Sequence, residues 1–264
     1  MTTNEKIRKV RVAAVTGGGL AWQYRQTCSK ESFDLAVAQR YIREYTAAGL
    51  VLMEKAASQG AKIIVGQEYF RGSEMFTTTD ENRRQLVEPP EGPTTQRMGV
   101  IAARYGAALC CSYDIALDSQ MCQTGILVGP SGKVDAAQAK HPRRVPAPAN
   151  WPFNTGVRIY DLGCAKVGIT VCSDCTYNPE LPLAMARHGM EVLLLPGCGF
   201  VGNLGRHFIV VRARDTQSVV IYADDNRGAI VDSKGQILVE TDQPGQILMA
   251  DVEILPKKSS PDEA

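Results

Sequence analysis

Short apolar runs alternate along the chain with longer segments in which apolar residues recur every three or four positions. Residues 10–15 alternate basic and apolar side chains, then turn wholly apolar ahead of a glycine run, which predicts a strand ending in a turn. Over 32–59, Leu35, Ala38, Tyr41, Ile42, Tyr45, Ala48, Leu52 and Ala56 keep helical spacing, and Gly60 stands where a C-terminal cap belongs. A buried strand follows at 61–66. A second helix opens at Gly92-Pro93, with the proline in its first turn, and runs to Tyr105-Gly106.

Beyond it the pattern predicts strands at 107–113 and 124–128, and another after the turn Gly129-Pro130-Ser131-Gly132. A hairpin is expected over 157–162 and 166–171, a helix over 179–188 and a buried strand over 191–196. A helix over 204–218 precedes strands at 219–223, 229–231, 237–240 and 246–252. The segments TGILVGPSGKV (124–134) and GAIVDSKGQILV (228–239) resemble each other as strand, Ser-containing glycine turn, strand. Buried strands alternating with helices, interspersed hairpins and two similar halves point to an α/β chain with two sheets packed face to face and helices outside each. No stretch reads as a domain linker. A single domain over 1–264 is expected, with a polar tail at 257–264.

Composition narrows the function. A net charge of +1 provides no overall field to attract nucleic acid or an anionic membrane. No apolar run approaches the roughly 18–20 residues of a membrane span, and residues 1–10 lack the apolar core of a signal peptide. The expectation is a soluble, cytoplasmic protein that binds neither nucleic acid nor membrane. Its eight cysteines show no disulfide-scaffold spacing. Most lie in apolar runs and read as small buried hydrophobes.

Cys172 is different. In VGITVCSDCTYNPE an apolar strand ends at Cys172, a polar turn follows, and Pro179-Glu180 opens a helix. A side chain at a strand-to-helix turn is presented at the sheet edge, as a thiolate nucleophile requires. Such a nucleophile needs a base and oxyanion donors. Of the three histidines, His188 falls at a helix end, His207 reads as a partly buried helix residue, and His141 carries no supporting motif. Glu68 ends the apolar strand IIVGQE and so reaches a strand edge too, although such a residue is commonly just solvated; Lys140 lies in the charged run AKHPRR, which by itself reads as surface.

Taken together, IIVGQE68, VGPSGKVDAAQAK140HP and VGITVC172SDCTYNPE resemble the nitrilase, or carbon–nitrogen hydrolase, superfamily, in order and spacing over 9–254. EPPEGPTTQRMGVIAARYGA, HGMEVLLLPG and RARDTQSVVIYADDNRG fit the same pattern. The resemblance implies a four-layer α-β-β-α sandwich of two mixed β-sheets with helices outside. It implies Glu68, Lys140 and Cys172 as catalytic residues, with the backbone N–H of Ser173 as an oxyanion donor. It further implies a thioester intermediate, no cofactor and no metal, a small amide or N-carbamoyl substrate, and a homodimer or higher homo-oligomer. Tyr69, Trp151 and Tyr177 adjoin the motifs and are candidate substrate contacts. One departure stands out: many members carry a second glutamate between the lysine and the cysteine, and none occurs between Lys140 and Cys172 here. A catalytically silent binding or scaffold protein is therefore the alternative. Cys172-Ser-Asp-Cys175 also matches C-x-x-C, which leaves a redox reading as a third.

Overall fold

The computed structural model describes residues 6–17, 33–72, 79–117, 120–140, 156–199 and 202–257. Twelve strands of the described residues form two six-stranded sheets. The first has the order β12-β1-β2-β3-β4-β5, from Ile247–Ile254, Arg8–Val15, Ile63–Val65, Ala108–Leu117, Gln120–Val128 and Val134–Ala139. The second has the order β11-β10-β9-β8-β7-β6, from Ile237–Thr241, Gly228–Val231, Val219–Ala223, Val192–Pro196, Lys166–Ile169 and Tyr160–Asp161.

The sheets repeat one plan. In each, three central strands run parallel (β1-β2-β3 and β7-β8-β9), and a hairpin extends one side antiparallel (β4-β5 and β10-β11). The two similar sequence segments are these hairpins. An antiparallel strand, β12 or β6, closes the other side. The architecture is the expected α/β sandwich of two mixed sheets.

Alternation along the strands divides the side chains between separate cores. Val12 and Ala14 of β1, Ile63 and Val65 of β2, and Cys110 of β3 meet Val167, Ile169, Val192, Leu194 and Ile221 between the sheets. The intervening Ala13, Val15, Ile64 and Leu109 pack outward under α1 (Leu35–Ser58) and α3 (Pro93–Tyr105). On the far side, Leu193, Leu195, Val220 and Tyr222 pack under α5 (Glu180–Arg187) and α6 (Gly202–Thr216). Asp34 caps α1 by accepting from the N–H groups of Ala36 and Val37. Pro93 starts α3 and left-handed Gly106 ends it.

Several boundaries differ from the sequence reading. β3 runs on to Leu117, because Ser112 and Asp114 interrupt the apolar run without interrupting the ladder. The strand expected over 157–162 shrinks to Tyr160–Asp161, while Val157 and Ile159 pack against the outer core of the second sheet. α6 ends at Thr216, with Gln217 in the left-handed region at φ 49°. Two short helices, α2 (Asp80–Arg84) and α4 (Ser173–Tyr177), are too brief to show periodicity. His207 is exposed rather than partly buried. Lys257 is docked through Nζ on Thr216 O and Ser218 Oγ, and the rest of the expected tail, 258–264, lies outside the described residues.

One close approach fixes how α3 sits on the first sheet. A Cβ on Gly99 would stand 2.4 Å from the carbonyl oxygen of Gly132 in the β4–β5 turn. Backbone cannot yield as a flexible side chain does. Gly99→Ala is expected to destabilise the fold by about 1–3 kcal/mol, read as a lowered urea midpoint at unchanged slope. A midpoint at or above the native value would refute this packing.

Candidate active site

The site assembles where several strands of both sheets end. Cys172 follows β7 and immediately precedes α4, with φ 48° and ψ −107°, a region L-residues rarely adopt. Local bonds hold it there. The Cys172 N–H donates to Pro196 O at 2.8 Å, the Asp174 N–H to Val171 O at 3.0 Å, and the Cys175 N–H to Cys172 O at 3.0 Å. The Val171 N–H in turn donates to Asp174 Oδ2 at 3.4 Å, so Asp174 folds back to shape the turn. The thiol donates to Cys198 O, 3.3 Å away at the end of β8.

Glu68 lies three residues beyond β2 and is 1% exposed. Its N–H donates to Gly197 O at 3.1 Å, which ties the end of one sheet to the end of the other. Lys140 directly follows β5, and its Nζ donates to Glu68 Oε1. The same Nζ donates to Gln123 Oε1 at 3.0 Å. Glu68 Oε2 is buried and has no hydrogen-bond partner among the described residues.

Burial first, and then the Glu68 charge, push the Cys172 thiol up to about 12 against the pull of Lys140. Burial alone would lower the pKa of Lys140, but Glu68 and Cys172 outweigh it and raise the ammonium above its ordinary value. The resting arrangement is therefore a neutral thiol, a carboxylate with one open oxygen, and an ammonium. It can pass the thiol proton to Glu68 while keeping a cation beside the sulfur.

The structure thus brings Glu68, Lys140 and Cys172 together. Ser173 is buried and opens α4, where first-turn N–H groups lack intrahelical acceptors. Tyr69 is half-buried next to Glu68, and Tyr177 is 75% exposed at the end of α4. Trp151 and His141 lie outside the described residues. Cys175 is wholly buried in the outer core with Leu181, Met185 and Met190, as a packing residue is. His188 bonds through Nδ1 with Ala184 O at the end of α5. Two contributors were missed: Gln123 on the lysine, and the Cys198 carbonyl on the thiol. Hairpin arithmetic signals the first, since pairing Thr124 with Ala139 sets Gln123 opposite Lys140. Among the described residues no three His, Cys, Asp or Glu side chains group as metal ligands, and no helix is long and apolar enough to cross a membrane.

A fold of two mixed sheets with a cysteine, a glutamate and a lysine at their strand ends defines a class that comparison makes definite. The carbon-nitrogen hydrolase family model matches residues 13–254, and the chain belongs to that family. A nitrilase of Pyrococcus abyssi is 26% identical over 173 residues, which cover 66% of this chain and 65% of the relative. An N-carbamoylputrescine amidase of Solanum lycopersicum is 28% identical over 202 residues, covering 73% of this chain and 59% of the relative. The match therefore spans less than two thirds of the length of either. Among solved structures, Saccharomyces cerevisiae Nit3, a nitrilase-superfamily member, superposes with a TM-score of 0.72 at 18% identity, covering 96% of this chain and 93% of that one.

Proposed function

We propose that the protein is a thiol-dependent hydrolase of a non-peptide C–N bond in a small amide or N-carbamoyl compound. Glu68 Oε2 takes the Cys172 proton, and the thiolate attacks the carbonyl carbon. Lys140 Nζ and the Ser173 N–H hold the resulting oxyanion. As the tetrahedral species collapses, the C–N bond breaks and Glu68 returns the proton to the leaving nitrogen. Ammonia or an amine departs and leaves a thioester on Cys172. Glu68 then takes a proton from water, whose oxygen attacks the thioester carbonyl. The C–S bond breaks, the acid is released, and the Glu68 proton restores the thiol. Every step uses groups of this chain and water.

The observation that carries this reading is the open, buried Glu68 Oε2 in a site whose lysine is committed to the other oxygen. The missing glutamate between Lys140 and Cys172 favours one alternative, a silent member acting as a binding or scaffold protein. Incubation with a panel of small amides, N-carbamoyl amines and nitriles separates the two. Expected are ammonia release and, after rapid acid quench, an intact mass raised by the acyl group on Cys172. No ammonia and no adduct from any compound would favour the silent reading.

A further inference from the structure

When Glu68 holds the thiol proton it is neutral, and the anion facing the Lys140 ammonium becomes the Cys172 thiolate and then the oxyanion, while 17% of the lysine side chain remains exposed. Carboxylates that take no part in the proton transfer would keep the ammonium charged and in place through this exchange. Asp174 of α4 is one, and the first sheet supplies another, Asp114. Asp114 pairs directly with Gln123 in the β3–β4 register. The Lys140 N–H donates to Gln123 O at 2.9 Å, one step past the Thr124–Ala139 pair of β4–β5. Asp114, Gln123 and Lys140 therefore form one cross-strand row, in which adjacent Cβ atoms lie about 4.5–5.5 Å apart.

Alternation fixes the face of the row. Cys110, Leu127 and Ala136 belong to the core between the sheets, and Asp114, Gln123 and Lys140 are each an even number of residues away. All three point to the side on which Glu68 and Cys172 meet. Asp114 is 8% exposed. Its charged neighbours among the described residues are Arg83 of α2, Lys140 at the end of β5, and Glu68 and Arg71 beyond β2. Burial pushes its carboxyl up to about 6, with Arg83 and Lys140 acting against that rise.

We propose that Asp114 is a positioning residue, a carboxylate of the site beyond Glu68 and Asp174, which holds Lys140 as an ammonium beside Gln123 while Glu68 carries the proton. This role rests on the Cys172–Glu68–Lys140 reading above. In this role Asp114 acts through Lys140. A purely structural aspartate would affect folding and leave the catalytic pH response in place.

The test uses the best-hydrolysed compound of the amide panel, with native protein, Asp114→Asn, Asp114→Glu and Cys172→Ala assayed side by side. For Asp114→Asn, kcat should fall about 10- to 100-fold with KM changed less than about threefold. Asp114→Glu should recover most of the loss. Native kcat should fall on the acid side as Asp114 takes up its proton near pH 6, and that fall should be displaced in the asparagine variant. Native kcat and an unmoved pH profile in Asp114→Asn would overturn the proposal. So would a loss that tracks a lowered unfolding midpoint and is not recovered by glutamate. If Cys172→Ala is silent while Asp114→Asn is native-like, only this inference fails. If Cys172→Ala turns over normally, or the native protein hydrolyses nothing, the underlying hydrolase reading fails and this one with it.

Discussion

Cys172→Ala should abolish ammonia release, with a loss of at least about 10³-fold, and should leave a folded protein. Among the described residues, Cys172 is the thiol that acts on Lys140 as well as on Glu68: Cys175 faces the outer core, and the Cys198 thiol, although it feels the Glu68 charge, is not among the groups that raise Lys140. The fold should survive because alanine removes only Sγ. The backbone bonds from Cys172 N–H to Pro196 O and from Cys175 N–H to Cys172 O involve no cysteine side chain. The φ of 48° strains either residue alike, so the stability change should stay within about 1–2 kcal/mol. Coupled ammonia detection and thermal unfolding on one preparation measure both quantities. Full turnover in the variant would sink the thiol mechanism. Cys175→Ala separates the redox reading from the hydrolytic one. It removes a packing sulfur among Leu181, Met185 and Met190, and should lower stability while retaining activity. Equal loss of activity in both variants would favour a dithiol.

The parts of this molecule legible in its sequence are those set by local pattern. Ile63–Val65, Val192–Pro196 and Val219–Ala223 are apolar on both faces because they are inner parallel strands, and an uninterrupted apolar run marks such strands. Glu68 and Cys172 stand out because each is the first reactive side chain after such a run. Lys140 does not, since its charged run looks like surface, and only resemblance to a family picks it out. Gln123 and Asp114 do not stand out for a further reason. Each lies inside a long strand whose apolar pattern it interrupts, and their relation to Lys140 exists only across ladders, one for Gln123 and two for Asp114. The proposed role of Asp114 puts a carboxylate before the lysine in the chain, where a search for a glutamate between Lys140 and Cys172 does not look. Polar residues inside a strand shorten its apparent length, and here they are the ones that face the chemistry.

Glu68→Gln should produce the other large effect, and it separates a base from a mere counter-ion. Hydrolysis should fall by about 10²- to 10⁴-fold, because an amide cannot accept the thiol proton. The more telling measurement is alkylation of Cys172 by iodoacetamide between pH 6 and 9, followed by intact mass. With the thiol pushed up to about 12, only roughly one in 10⁵ would be ionised at pH 7 if its proton had to go to solvent. Glu68 Oε2 offers an internal acceptor, so the native alkylation rate should vary little across this range. In the glutamine variant the proton must leave to bulk water, and the rate should climb close to tenfold per pH unit. The variant thiol should also titrate below the native one. Burial still raises it, but the Glu68 charge is gone and the Lys140 ammonium remains to favour the thiolate. Parallel pH profiles in the two proteins would mean that Glu68 serves only to hold Lys140. A flat native profile replaced by a steep one would identify it as the base that makes Cys172 a nucleophile.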